Sequence, residues 1–113
     1  MKYYSFIETE VFTRAIDAIN SDLLDAIQQD LLLKIDKGAI VRGAGGVRKA
    51  RVADKKNRRG KSGSFRYLYL PLERNGVIYM IYIFSKNERA NISNAEAKEI
   101  KKIASDIKKA YRE

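Results

Sequence analysis

A chain of 113 residues that is 45% hydrophobic, with neither cysteine nor histidine, is the size of one domain and can bury a modest core unaided. Without thiol or imidazole it can form no disulfide, thiolate metal centre or cysteine nucleophile, and it lacks the side chain best suited to proton transfer near neutrality. Its net charge of +9 equals that of residues 42–66 alone, where ten basic side chains stand against the single acid Asp54; such concentration points to a polyanionic partner.

Met1 to Phe6 carries one charge and then alternating aromatics, unlike the apolar core of a secretory leader. No run nears the ~20 apolar residues that cross a bilayer, so the expectation is a soluble, cytoplasmic protein with no membrane partner. Tyr4 and Phe6 alternate with Tyr3, Ser5 and Ile7, the pattern of a short strand. Thr9 can cap a first helix with Phe12, Ile16 and Ile19 on one face. After the cap-type Asn20 and Ser21, a second helix carries Leu24, Ile27, Leu31 and Ile35. Lys34, Lys37 and Gly38 read as its stop, which completes an αα-hairpin.

Gly43-Ala44-Gly45-Gly46 reads as a flexible turn, without the glycine, lysine and Ser/Thr order of a phosphate loop. Val47 to Ala53 reads as a strand and Asp54 to Ser64 as a charged loop. Phe65 to Leu72 and Val77 to Ser85 follow as strands, joined by Glu73-Arg74-Asn75-Gly76, whose Asn-Gly signals a hairpin. Ile78 to Phe84 is apolar on both faces, which puts that strand in the sheet interior. Pro71 falls near a strand end, where a missing donor is tolerated. Ser93 and Glu96 make a capping box for a last helix with Ile100, Ile103, Ile107 and Tyr111 on its apolar face. Its lysines (Lys98, Lys101, Lys102, Lys108, Lys109) read as a solvated face, with Glu99–Lys102 and Asp106–Lys109 spaced for weak pairs. The order β-α-α-β-β-β-α gives the α+β class. It forms a single domain over residues 1–113, with helices on one side of a mostly antiparallel sheet.

Lys49 and Arg51, two apart on a strand, share a face, while Ala50 and Val52 point to the core. Two such cations can serve solubility alone, but no acid on the strand balances them, which favours binding or catalysis. The loop cations Lys55, Lys56, Arg58, Arg59 and Lys61 suit an arm lying along phosphates. A charged loop is more often a solvated connection; here it abuts Lys49, Arg51 and Arg66. Lys86 ends the interior strand and can approach Arg51 and Arg66 across the sheet. Of the seven tyrosines, Tyr67, Tyr69 and Tyr79 read as strand formers filling half-buried surface. Tyr82 too reads first as core or periphery, but it shares the strand face of Lys86 and is the best placed of these to stack on an RNA base.

The order of elements resembles the RelE superfamily of bacterial toxins. Gly46-Val47-Arg48-Lys49-Ala50-Arg51-Val52-Ala53 is similar to the second-strand motif of its HigB-like branch. Gly60-Lys61-Ser62-Gly63, Arg66 and Lys86-Asn87-Glu88, followed by a capped helix, match that branch in order. The resemblance covers nearly the whole chain. It implies a small RelE-like domain and a type II toxin–antitoxin toxin, a ribosome-dependent endoribonuclease that cuts mRNA in the A site with no metal or cofactor. It also implies that Lys49, Arg51, Arg66 and Lys86 line the active site, with Arg48, Lys61 and Glu88 supporting it or touching RNA. The implied partners are mRNA, the small ribosomal subunit and a cognate antitoxin of helix-turn-helix type from the same operon. Operator DNA would be reached only through the antitoxin complex.

The sequence departs from some relatives in having no histidine, and Ile92 stands where a late tyrosine can follow the Lys-Asn-Glu segment. Histidine-free cleavage is chemically sound, because RNA supplies its own nucleophile, the 2′-hydroxyl. Arg51 and Arg66, always protonated, suit the phosphorane charge. Crowded like charges favour the neutral form of an amine, so Lys49 is expected as the base and Lys86 as the acid. The alternative is a non-catalytic basic RNA- or ribosome-binding module. A DNA-binding regulator fits less well, because neither helix between Glu10 and Lys37 is basic.

Overall fold

The computed structural model describes residues 3–53, 64–85 and 91–111. The elements in chain order are β1 (Ser5–Glu8), α1 (Glu10–Ile19), α2 (Asp22–Leu33), β2 (Ala39–Ile40), β3 (Arg48–Ala53), β4 (Ser64–Leu72), β5 (Val77–Ser85) and α3 (Asn94–Tyr111). Among the described residues no helix is long and apolar enough to cross a membrane.

Local signals start and stop most of these elements. Thr9 caps α1 by accepting from the Phe12 amide at 3.1 Å. The Asn20 side chain accepts from the Asp22 amide at 3.0 Å and starts α2. Ser93 and Glu96 close the expected capping box on α3 at 3.0 and 3.1 Å. Glu73–Asn75 forms one 3-10 turn that ends at Gly76 with φ of 64°, a conformation that favours glycine. Gly38 is a correction. α2 ends at Leu33, so this glycine caps nothing; a Cβ there would lie 2.8 Å from the Lys49 carbonyl oxygen and 2.9 Å from the Tyr69 ring. Close approach, not helix termination, requires it.

The five strands lie in the order β1-β5-β4-β3-β2. β1 runs parallel to β5, and every other pair is antiparallel. β2, a two-residue edge strand beside β3, was not expected from sequence. Four consecutive β4 residues, Tyr67 to Leu70, are buried, so the sheet needs cover on both faces. α1 and α2 pack on one face, with Phe12, Ile16, Leu23, Ile27 and Leu31 against Ala50, Val52, Tyr67 and Tyr69. α3 packs on the other, with Ile100 and Ala104 against Leu68, Leu70, Leu72 and Ile81. The expectation of helices on one side is therefore overturned: the α+β sheet is sandwiched, because its inner strands are apolar on both sides.

Between β4 and β5 the register slips by one residue. Leu68 faces Tyr82, Tyr69 faces Met80, and Ile81 is the extra residue. Ile81 and Tyr82 consequently both sit on the α3 face, and Phe84 follows them. Thr9 sits at this bulge: its hydroxyl donates to the Ile81 carbonyl at 2.7 Å and its amide to the Met80 carbonyl at 2.9 Å. One side chain thus caps α1 and stabilises the kink that re-aims the end of β5.

Candidate functional site

Strand alternation and the bulge build one face from three strands. On β3, Ala50 and Val52 enter the α1/α2 core, so Lys49 and Arg51 point to the α3 side. On β4, Tyr67 enters the same core and Leu68 the opposite one, which puts Arg66 on the α3 side. Register then sets two rows across the sheet. Arg51 stands opposite Arg66, and Arg66 opposite Phe84; Lys49 stands opposite Leu68, and Leu68 opposite Tyr82. Neighbours in a row have Cβ atoms about 5 Å apart and diagonals about 7–8 Å. Lys49, Arg51 and Arg66 therefore form one cationic cluster. Arg51 is exposed, and Lys49 and Arg66 are half-buried.

Like charges placed directly across a sheet cost stability. That arrangement suits an anion bridging the two guanidiniums, each of which presents a fork of donors to phosphate oxygens. Tyr82 borders the cluster and stacks on Phe84, with centroids 5.7 Å apart and 28° between planes. It also rims an apolar cavity of about 260 Å³ that Val11, Ile92, Ile100 and Ile103 help to line. Among the described residues no cation lines that cavity.

The remaining sequence candidates divide. Arg48 lies on the other face, where it donates to the carbonyls of Gly38 at 2.7 Å and Asp36 at 3.3 Å; it holds the α2–β2 connection and does not join the cluster. Lys55, Lys56, Arg58, Arg59, Lys61, Lys86 and Glu88 lie outside the described residues. Sequence reasoning missed the neighbours of Lys49 at the start of α3. There Arg42, Asn91 and Asn94 line a cavity of about 280 Å³ with it. Asn91 and Asn94 are far from Lys49 in the chain, so spacing carried no signal for them, whereas Arg42 belongs to the basic stretch of residues 42–66. Among the described residues no three acidic side chains converge as a metal-binding group.

Tyr67 and Tyr69 are fully buried on the opposite face. The Tyr69 hydroxyl donates to the Ile35 carbonyl at 2.7 Å and accepts from the Gly38 amide at 2.9 Å. Burial raises its pKa, an effect opposed by the Gly38 hydrogen bond and Arg48 and reinforced by Asp36. The Tyr67 hydroxyl has no hydrogen-bond partner among the described residues, and its pKa is also raised, chiefly by burial and further by Tyr69 and Asp30. Both are structural phenols, away from the cationic face.

Two comparisons bear on this arrangement. The family described as RelE toxin of the RelE / RelB toxin-antitoxin system matches residues 6–113. Among solved structures, the fold is similar to a doubly substituted E. coli toxin RelE in the free state. The match has a TM-score of 0.54 and 14% identity, and covers 80% of this chain and 90% of that one.

Proposed function

The chain belongs to the RelE toxin family, and from that premise we propose that it is an endoribonuclease that cuts mRNA in the ribosomal A site. As a toxin of a toxin–antitoxin system it has a cognate antitoxin. The observation that carries the reading is the convergence of Lys49, Arg51 and Arg66 on one sheet face. The motif order from Gly46 to Glu88 supports the HigB-like branch.

In the proposed reaction the 2′-oxygen attacks the adjacent phosphorus and the 5′-oxygen leaves. The products are a 2′,3′-cyclic phosphate and a 5′-hydroxyl. Arg51 and Arg66 hold the non-bridging oxygens as their charge grows. Lys49 takes the 2′-hydroxyl proton, and Lys86 returns one to the leaving oxygen. Tyr82 offers a stacking face for a base beside the scissile phosphate. The basic loop at Lys55, Lys56, Arg58, Arg59 and Lys61 adds backbone contacts, and Glu88 adds a further RNA contact. The antitoxin, of helix-turn-helix type, neutralises the toxin by presenting acids to the same patch, and operator DNA is met only through that complex. The site of action is the cytoplasm, on the small ribosomal subunit.

The test is expression with and without the operon neighbour, with transcript 5′ ends mapped by primer extension. Discrete cuts within translated regions are expected, relieved by the neighbour and absent in a folded Lys49→Ala/Arg66→Ala variant. Full toxicity in that variant overturns the residue roles. Growth arrest without cuts would identify a non-catalytic ribosome-binding module.

A further inference from the structure

The lysines of α3 are sorted by side. At about 100° per residue, Lys98, Lys101, Lys102, Lys108 and Lys109 fall within about 120° of the helix circumference, and Glu96, Glu99 and Asp106 fall outside that arc. Among the described residues no ion pair joins Glu99 to Lys102 or Asp106 to Lys109. Helix electrostatics explains only part of the arc. Cations favour the last turn, which suits Lys108 and Lys109, whereas Lys98, Lys101 and Lys102 lie in the first half.

This flank faces the turn between β2 and β3. Lys108 donates to the Gly45 carbonyl, and a Cβ on Gly45 would come within 3.3 Å of the Ala104 side chain. Helix and turn enclose a cavity of about 330 Å³ lined by Gly45, Lys101, Ser105, Lys108 and Lys109. Nearer the start of the helix, on the same flank, lies the cavity shared by Arg42, Lys49, Asn91 and Asn94. Among the described residues, neither cavity has an acidic or aromatic lining residue. Cations thus run from Lys49 to Lys109, along a helix stretch of about 22 Å between Asn94 and Lys109, with the apolar Ile40, Val41 and Ile92 sharing the lining of the first cavity. The cations suit phosphate contacts, and no aromatic ring among the described lining residues offers a face on which a base could stack.

We propose that the lysine flank of α3, with Arg42 and the Gly43–Gly46 turn, is a second RNA-binding surface. It tracks the backbone of the strand whose scissile phosphate lies against Lys49, Arg51 and Arg66. The link is Lys49, which belongs both to the cationic cluster and to the first cavity of the track. This inference rests on the reading of that cluster as the cleavage site.

The test uses the full chain and 2′-O-methyl RNA, which cannot be cleaved, in lengths of about four and about sixteen nucleotides. Lys98→Ala/Lys101→Ala/Lys109→Ala removes three cations, keeps the Lys108 contact, and favours helix. Expected is a loss of about tenfold or more in affinity for the long oligomer, a salt slope smaller by about 2, and little change for the short one. Unchanged affinity and slope for the long oligomer would overturn the proposal, as would equal losses for both lengths. It also fails if the unaltered chain binds the long oligomer no better than the short one. Unaltered RNA binding with lost capture of the antitoxin would assign the flank to that protein instead. Failure of the site reading has a separate signature: Lys49→Ala/Arg66→Ala would leave binding of the short oligomer intact.

Discussion

Tyr67 and Tyr69 stand two apart on one strand face, fully buried, with rings 5.7 Å apart, yet they make opposite predictions. Tyr69→Phe strips partners from the buried Gly38 amide and the Ile35 carbonyl, which should cost about 1–3 kcal/mol in urea unfolding. Tyr67→Phe removes a buried hydroxyl with no partner among the described residues and should leave stability unchanged or raise it by up to about 1 kcal/mol. Both phenols have folded-state pKa values raised by burial above the ordinary value of 10.0. A raised pKa means the folded state holds the proton more tightly. This contribution is full below pH ~10 and is lost as pH climbs through the folded values. Each Phe variant should therefore show a shallower alkaline loss of stability than the parent when the urea midpoint is followed from neutral pH upward. An equally steep limb in both variants would refute this.

Among the elements, β5 decides whether Tyr82 joins the cationic face. Without the bulge at Ile81, Tyr82 would point with Met80 into the α1/α2 core, and Phe84 with it. Thr9 supplies the hydroxyl that takes up the Ile81 carbonyl while also capping α1. Thr9→Val keeps shape but loses both bonds, at an expected cost of about 1–3 kcal/mol. Cleavage should fall further than the unfolded fraction accounts for, because Tyr82 loses its anchor. Thr9→Ser keeps the hydroxyl and should restore both properties. If Thr9→Val cleaves mRNA at the parental rate once fully folded, the bulge has no part in the activity.

Across the whole molecule, charge is segregated by the sheet. Residues 10–37, which form α1, α2 and their connections, carry six acids and three bases. The opposite side holds Lys49, Arg51, Arg66 and the lysine flank of α3. The molecule is 23 Å across its thinnest dimension, well beyond the Debye length of about 8 Å at physiological salt. Asp17 and Asp25 are both exposed on the helical side. Asp17→Lys/Asp25→Lys raises the net charge by four, yet RNA affinity at physiological salt should change by less than about threefold. A gain of tenfold or more would show that net charge, not the face, governs binding.

Sequence by itself determined most of the elements and the candidacy of Lys49, Arg51 and Arg66. Period-two and helical patterns are local, so Lys49 beside Arg51, the Ser93–Glu96 box and the Val77–Ser85 strand were all legible from neighbouring residues. The edge strand β2, the place of α3 on the far side of the sheet, and the distinct roles of Gly38 and Arg48 were not. Each depends on hydrogen bonds or packing between segments distant in the chain. The bulge shows why: a single extra residue, held by Thr9 from 72 positions away, inverts every later side chain of β5, and no local pattern records it.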